Sequence, residues 1–99
     1  MKLGEIQRIA VLGSGTMGPG IAQSYAMGGY EVLLYDISKP ALDKARGMLL
    51  ANLDTYVQED LLPVEEADGI YRRITFTNKL SKALDGVQFV QETVAENPG

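Results

Sequence analysis

The chain of 99 residues contains no cysteine, no histidine and no tryptophan. The absence of cysteine excludes disulfides and thiol nucleophiles, and the absence of both cysteine and histidine excludes metal sites built from those ligands. The absence of histidine also removes the side chain that most often serves as a general base. The chain therefore cannot supply an imidazole to any reaction.

Basic charge and long apolar runs are also scarce. Nine basic against 13 acidic side chains give a formal net charge of −4, which argues against nucleic-acid binding because that needs a clustered basic face. The acidic runs at residues 59–60 and 65–68 are predicted to be solvated, so no metal site is expected. No apolar run approaches the roughly 18–20 residues that span a bilayer, and residues 1–5 do not resemble a secretory signal. We expect a cytoplasmic protein that does not contact a membrane.

The remaining composition, 45% hydrophobic and 22% charged, is typical of one small globular domain. Apolar runs predict strands at residues 9–12, 31–35, 74–77 and 87–90, and helical spacing predicts helices at about 17–26, 39–57, 64–73 and 79–84. This alternation predicts an α/β fold: a Rossmann-type, doubly wound parallel sheet of four strands in the order 3-2-1-4, with an extra helical arm between strands 2 and 3. Since a complete fold of this type has six strands, we expect residues 1–99 to form a single, incomplete dinucleotide-binding domain. Its last strand should expose an edge and apolar faces, through which the chain could self-associate.

A glycine-rich turn, Gly13-x-Gly15-x-x-Gly18, follows the first strand and opens the first helix. In a dinucleotide fingerprint the first glycine makes the tight turn, the second admits the pyrophosphate, and the third lets the helix pack on the sheet. Because the turn carries no Lys or Arg, backbone amides at the positive end of the helix would have to bind the phosphates. The alternative is a turn that binds nothing.

Asp36 ends the second strand, 18 positions beyond Gly18. A carboxylate there can accept hydrogen bonds from the adenosine ribose, whereas a 2′-phosphate would be repelled by up to about 4 kcal/mol per unit charge at ~4 Å and an effective dielectric of ~20. NAD is therefore the expected cofactor rather than NADP. FAD, which is often paired with Glu at this position, is the second choice, and a turn or capping role for Asp36 is the alternative.

Three segments resemble the 3-hydroxyacyl-CoA dehydrogenase family. They read LGSGTMGPGIAQ at residues 12–23, GYEVLLYD at 29–36 and ETVAEN at 92–97. The resemblance covers nearly the whole chain, including the helical arm. It implies the NAD-binding portion of an oxidoreductase that transfers hydride between NAD and 3-hydroxyacyl-CoA or 3-ketoacyl-CoA, in fatty-acid or butanoate metabolism.

The resemblance also implies residue roles. Six residues of the turn would hold the pyrophosphate: Gly13, Ser14, Gly15, Thr16, Met17 and Gly18. Asp36 would hold the adenosine ribose, and Glu96 would contact the nicotinamide half with Thr93 nearby. From spacing alone, Glu96 could equally be an exposed loop carboxylate. The family's catalytic histidine and glutamate lie downstream of the matching segment, so no catalytic residue is expected in this chain, which should be inactive alone.

The helical arm departs from the family pattern. Where the family uses a Ser and a Lys to contact coenzyme A, this chain has Asn52 and the run Gln58, Glu59 and Asp60. The acidic run would repel an anionic carrier, so either the alignment of this segment is shifted or the contact with coenzyme A is weak or absent. An acyl-CoA substrate is expected only for the full-length parent protein. Two alternatives are a hydroxy-acid dehydrogenase of the lambda-crystallin and gulonate dehydrogenase branch, and a non-catalytic module that binds NAD or self-associates.

Overall fold

A computed structural model of the chain describes residues 7–15 and 17–93. Eight elements follow one another in these residues: β1 (Arg8–Leu12), α1 (Gly18–Met27), β2 (Glu31–Tyr35), α2 (Lys39–Gln58), α3 (Val64–Arg72), β3 (Ile74–Thr77), α4 (Leu80–Leu84) and β4 (Phe89–Glu92). The four strands form one sheet in the order β3-β2-β1-β4, and every pairing is parallel. The predicted α/β sheet and its strand order are confirmed.

The register of the sheet aligns the carboxyl ends of all four strands. Leu12 pairs with Tyr35 and with Glu92, and Tyr35 pairs with Thr77. The residues that follow these four strand ends therefore lie along one edge of the sheet. In doubly wound folds this is the edge at which ligands bind.

The core explains why β1 and β2 are almost continuously apolar. Three successive residues in the middle of each strand are buried, because helices cover both faces of the sheet and leave no solvated side. The main cluster joins β1 and β2 to α1, α2 and α3, with Leu34 and Leu49 among its fully buried members. On the opposite face α4 contacts β2 and buries Ala83.

The edge strand β4 begins two residues later than predicted. The run at residues 87–90 suggested the strand, but residues 87 and 88 only connect it to the turn at residues 85–86, where Gly86 has φ +69°. There the Gln88 side chain accepts hydrogen bonds from the Gln7 and Arg8 amides, at 3.1 and 2.8 Å. Within the described residues β4 pairs only with β1, and Phe89 and Val90 remain 43% and 41% exposed. The expected exposed edge is therefore present.

Two helix ends use left-handed residues. Gly29 follows α1 with φ +96°, while the amides of Gly29 and Tyr30 return to the carbonyls of Ala26 and Tyr25. Asp60 follows α2 with φ +59°, a conformation that glycine adopts more readily than aspartate. At its other end, α2 begins with the predicted cap, since the Ser38 hydroxyl accepts from the Ala41 amide at 3.2 Å. None of the helices within residues 7–15 and 17–93 has the length and hydropathy needed to cross a membrane.

Candidate functional site

The candidate site lies at the carboxyl edge of the sheet, where β1 runs into the glycine-rich turn beside the end of β2. The Gly13 amide still donates to the Tyr35 carbonyl at 2.7 Å, so the turn starts directly from the sheet. The sequence-predicted residues Gly13, Ser14, Gly15, Met17 and Gly18 lie in or border this turn. Thr16 and Glu96, also predicted, lie outside the described residues.

Two of the glycines are required by the local geometry. Gly13 has φ +101°, and a Cβ built on it would lie 2.7 Å from the Thr93 carbonyl oxygen. A Cβ on Gly18 would lie 2.6 Å from the Gly13 carbonyl oxygen, because the start of α1 packs tightly against the turn. Any side chain at either position would displace backbone atoms.

Gly15 differs from both, because a Cβ built on it would meet no described atom within 4 Å. The space above this residue is open, so the backbone can be approached closely by a ligand. This is the place that the middle glycine of a dinucleotide fingerprint leaves for a pyrophosphate. The open cradle therefore fits the group that the sequence predicted.

The N-terminus of α1 is also suited to an anion. Met17, which precedes the helix, provides no side-chain cap, and the first turn carries no acidic residue. Within the described residues, the amides of Gly15, Met17 and Gly18 have no hydrogen-bond partner. Free amides at the positive end of a helix favour phosphate groups. Met17 itself is 69% exposed, so its side chain lies at the surface of the site.

Asp36 lies directly against the turn. Its Oδ2 accepts from both the amide and the hydroxyl of Ser14, at 3.0 and 2.8 Å, and its Oδ1 accepts from the Ser38 amide at 2.9 Å. Burial by itself would raise the pKa of Asp36, but the hydrogen bonds from Ser14 and Ser38 outweigh it and hold the pKa below its ordinary value,. Asp36 is therefore ionised at neutral pH.

These contacts mean that one amide of the turn, that of Ser14, already has a partner within the protein. A carboxylate can accept about four hydrogen bonds, and Asp36 accepts three from the chain. Acceptor capacity remains on Oδ1, which accepts only the Ser38 amide. The arrangement leaves the carboxylate able to accept from a sugar hydroxyl.

Thr93 ties the end of β4 to the same turn. Its amide donates to the Leu12 carbonyl at 2.8 Å, and its hydroxyl lies at hydrogen-bond distance from the carbonyls of Leu12 and Gly13. The hydroxyl is thus turned toward the backbone of the chain. Its role near the nicotinamide half of a cofactor stays a prediction.

A group of cations lines a cavity close to the end of β2, and these residues were not brought together by the sequence analysis. The Asp36 amide donates to the Thr77 carbonyl at 3.2 Å, and Thr77 borders a cavity of about 310 Å³. Four cationic side chains and one carboxylate line this cavity: Lys39, Arg46, Lys79, Lys82 and Asp43. The predicted strand order could have indicated this cluster. The start of α2 and the segment after β3 follow the ends of neighbouring parallel strands, so their lysines lie close together.

Comparison with known proteins agrees with this geometry. The family model described as the NAD-binding domain of 3-hydroxyacyl-CoA dehydrogenase matches residues 8–99. The chain is 38% identical to 3-hydroxyadipyl-CoA dehydrogenase of Escherichia coli, over 92% of the chain and 19% of that protein. It is 37% identical to 5-formyl-3-hydroxy-2-methylpyridine 4-carboxylate 5-dehydrogenase of Mesorhizobium japonicum, over 93% of the chain and 29% of that protein.

A solved structure shares the fold over nearly the same residues. The crystal structure of 3-hydroxybutyryl-CoA dehydrogenase from Escherichia coli K12 superposes with a TM-score of 0.87 and 38% identity, covering 94% of this chain and 20% of that one. The chain thus spans less than a third of the length of these relatives. With a family model that covers the turn, Asp36 and all four strands, the chain belongs to the family of NAD-binding domains of 3-hydroxyacyl-CoA dehydrogenases.

Proposed function

We propose that this chain is the NAD-binding portion of an NAD-dependent 3-hydroxyacyl-CoA dehydrogenase and that it forms a single, incomplete dinucleotide-binding domain. One observation carries the proposal. The open glycine turn and the ionised Asp36 meet at the carboxyl edge of the sheet, joined by Ser14 at 2.8 and 3.0 Å. The catalytic residues lie outside this chain, which contains no histidine.

Each part of the site has a separate binding task. The amides of Gly15, Met17 and Gly18 hold the pyrophosphate, while Gly13 shapes the turn. Asp36 accepts from the adenosine ribose, and the nicotinamide half is assigned to Thr93 and Glu96. Thr16 is assigned to the pyrophosphate by its place in the fingerprint sequence. When bound, NAD supplies a nicotinamide ring that takes or gives a hydride, and the chain's part is to bind and orient it.

The charge of Asp36 favours NAD over NADP. A 2′-phosphate placed at ~4 Å from this carboxylate would be repelled by up to about 4 kcal/mol per unit charge at an effective dielectric of ~20. The cations of the neighbouring cavity oppose this effect, but Lys39, Lys79 and Lys82 are exposed and their charges are screened by water. The half-buried Asp36 carboxylate is held in place by three hydrogen bonds, so its charge outweighs those of the exposed lysines in the choice between NAD and NADP.

An acyl-CoA is the substrate class that we propose for the whole protein, because several relatives are named as dehydrogenases of 3-hydroxyacyl-CoA esters. The acidic helical arm disfavours the highly charged coenzyme A carrier and so leaves room for a second candidate, a small free hydroxy acid, as in the lambda-crystallin and gulonate dehydrogenase branch. The groove between α2 and α3, about 270 Å³ in volume, is bordered by the carboxylates of Asp54 and Asp68. Glu59 and Asp60 add negative charge at the end of the same arm. A relative named for a pyridine carboxylate substrate is consistent with this second candidate.

Two further properties remain predictions. The exposed edge of β4 offers a surface through which the chain could form a homo-oligomer. The third candidate function, a non-catalytic module that self-associates, would use this surface. The cytoplasm is the predicted location.

Calorimetric titration of the purified chain with NAD, NADP and ADP-ribose tests the cofactor. We expect NAD and ADP-ribose to bind and NADP to bind at least tenfold more weakly. A second assay with acetoacetyl-CoA and NADH should give no turnover by the chain alone. Turnover at an enzyme-like rate would contradict the assignment of catalysis to residues outside the chain, and preference for NADP would contradict the role of Asp36.

A further inference from the structure

We infer that Ser14 is a positioning residue for cofactor discrimination: it fixes the Asp36 carboxylate through Oδ2 and leaves Oδ1 to read the adenosine ribose. In this role Ser14 acts through Asp36 and does not itself bind the pyrophosphate. The inference rests on the proposed function, because it concerns the same NAD site. It changes the task of one turn residue from phosphate binding to the selection between NAD and NADP.

The geometry supports a fixed carboxylate. Two donors of a single residue converge on one oxygen, the Ser14 amide at 3.0 Å and the Ser14 hydroxyl at 2.8 Å. The Ser38 amide holds the other oxygen at 2.9 Å. Three donors from two segments of the chain define the rotation of the carboxylate group about its side-chain torsion angles.

Burial keeps water away from the Ser14 hydroxyl, so the hydroxyl stays bonded to Asp36. Ser14 is only 1% exposed, so its hydroxyl cannot exchange the Asp36 oxygen for bulk water. A buried hydroxyl without a partner is costly, and in this structure its donated bond goes to Asp36. Hydrogen bonds to an ionised acceptor are about twice as strong as neutral ones.

Cationic side chains line the neighbouring cavity, which Thr77 borders. From α2, Lys39 and Arg46 line the cavity next to Thr77, together with Asp43, and from the segment after β3 and from α4 come Lys79 and Lys82. Within the described residues, none of these cations forms an ion pair with Asp36. Without the Ser14 hydroxyl, Asp36 keeps only the amide donors of Ser14 and Ser38, so its carboxylate is less firmly fixed toward the ribose.

This model predicts unequal effects on the two cofactors. In Ser14→Ala, a displaced carboxylate accepts less well from the ribose and also repels a 2′-phosphate less. We therefore expect NAD to bind about tenfold more weakly, which is the effect of losing one charge-assisted hydrogen bond from the ribose to Asp36. NADP binding should change much less. If Ser14 instead bound the pyrophosphate, which both cofactors share, NAD and NADP would weaken together.

Three variants of the chain test the inference by calorimetry with NAD and NADP. Ser14→Ala removes the hydroxyl, Ser14→Thr keeps it, and Ser24→Ala is the matched control because its hydroxyl donates to the Gly20 carbonyl within α1. We expect the NAD preference to fall about tenfold in Ser14→Ala, to be largely retained in Ser14→Thr and to be unchanged in Ser24→Ala. An unchanged preference in a folded Ser14→Ala, or equal weakening of both cofactors, would overturn the inference.

A measurement without cofactor separates this inference from the proposed function. Carbon-13 NMR of the Asp36 carboxyl should show a higher pKa in Ser14→Ala than in the unmodified chain, because a donor to the charged form is lost. In the unmodified chain the Ser14 amide shift should titrate with the Asp36 pKa, a test that holds even if the alanine variant does not fold. A Ser14 amide insensitive to that titration contradicts the contact, whereas failure of the unmodified chain to bind NAD contradicts the proposed function.

Discussion

Gly13 and Thr93 are in such close contact that a Cβ built on Gly13 would lie 2.7 Å from the Thr93 carbonyl oxygen and 2.8 Å from its Oγ1. The two residues follow adjacent strands, β1 and β4, and the Thr93 amide extends their pairing by donating to Leu12. This contact fixes the start of the turn relative to the edge strand. A substitution at Gly13 should therefore disturb both the fold and the turn that binds the cofactor. A substitution at Gly15 should affect cofactor binding alone.

Gly13→Ala should destabilise the fold. The residue would have to keep φ near +101° while its methyl group displaced the backbone of Thr93. Left-handed strain and overpacking together should lower the free energy of unfolding by about 2–4 kcal/mol. Urea unfolding followed by circular dichroism measures the loss, and a variant as stable as the unmodified chain would contradict this packing.

Gly15→Ala should weaken NAD binding and leave the stability of the fold almost unchanged. Its methyl group would meet no described atom within 4 Å, so the free energy of unfolding should change by less than about 0.5 kcal/mol. The methyl group would nevertheless occupy the space above the turn, and NAD binding should weaken at least tenfold. Unfolding and calorimetry on one preparation make the comparison, which fails if affinity is retained.

Asp60→Gly should stabilise the chain. Asp60 ends α2 with φ +59°, a conformation that disfavours side chains, and its negative charge lies at the negative end of the helix dipole. Glycine removes both costs, and we expect a gain of about 0.5–1 kcal/mol in the free energy of unfolding. Asp60→Asn is the control, since it removes the charge and keeps a side chain, and it should recover only part of the gain. No gain in either variant would show that the helix end carries no strain.

The stability contributed by Asp36 should depend on pH in a defined direction. Because the pKa of Asp36 is lower in the fold than its ordinary value of 3.8, the contribution is complete above the unfolded-state pKa and is lost as the pH falls through the folded-state value. Asp36→Asn should therefore be less stable than the unmodified chain at pH 7, with the difference shrinking below pH 4. Thermal unfolding at pH 7 and below pH 4 measures this, and a difference that grows on acidification would contradict it.

The fold was largely predictable because its physical determinants are local. The central residues of β1 and β2 are buried and continuously apolar, and glycines end the first helix, so these elements could be placed from the sequence. β4 was placed two residues too early because the apolar run begins at Val87, whereas the pairing with β1 begins at Phe89. Its polar end, Gln91 and Glu92, gave no strand signal.

The site was predictable in its location and less so in its contacts. The spacing from Gly18 to Asp36 placed the carboxylate beside the turn, because parallel strands end at one edge of the sheet. The sequence could not show that Asp36 accepts both donors of Ser14, since that depends on a side-chain torsion angle and on the burial of Ser14. It likewise did not show that Lys39 and Lys79 border one cavity, because those residues are 40 positions apart and meet only through the pairing of β2 with β3.

Amide-resolved NMR titration of the nitrogen-15-labelled chain with NAD tests the central claim most directly, because it reports on each backbone N–H of the turn separately. The proposed site predicts that the largest shift changes occur at Gly15, Met17 and Gly18, with smaller ones at Ser14 and Ser38 through Asp36. Residues of the groove between α2 and α3, such as Leu53 and Tyr71, should not respond. Changes centred on that groove, or no change in the turn at millimolar NAD, would contradict the assignment of this edge of the sheet as the NAD site.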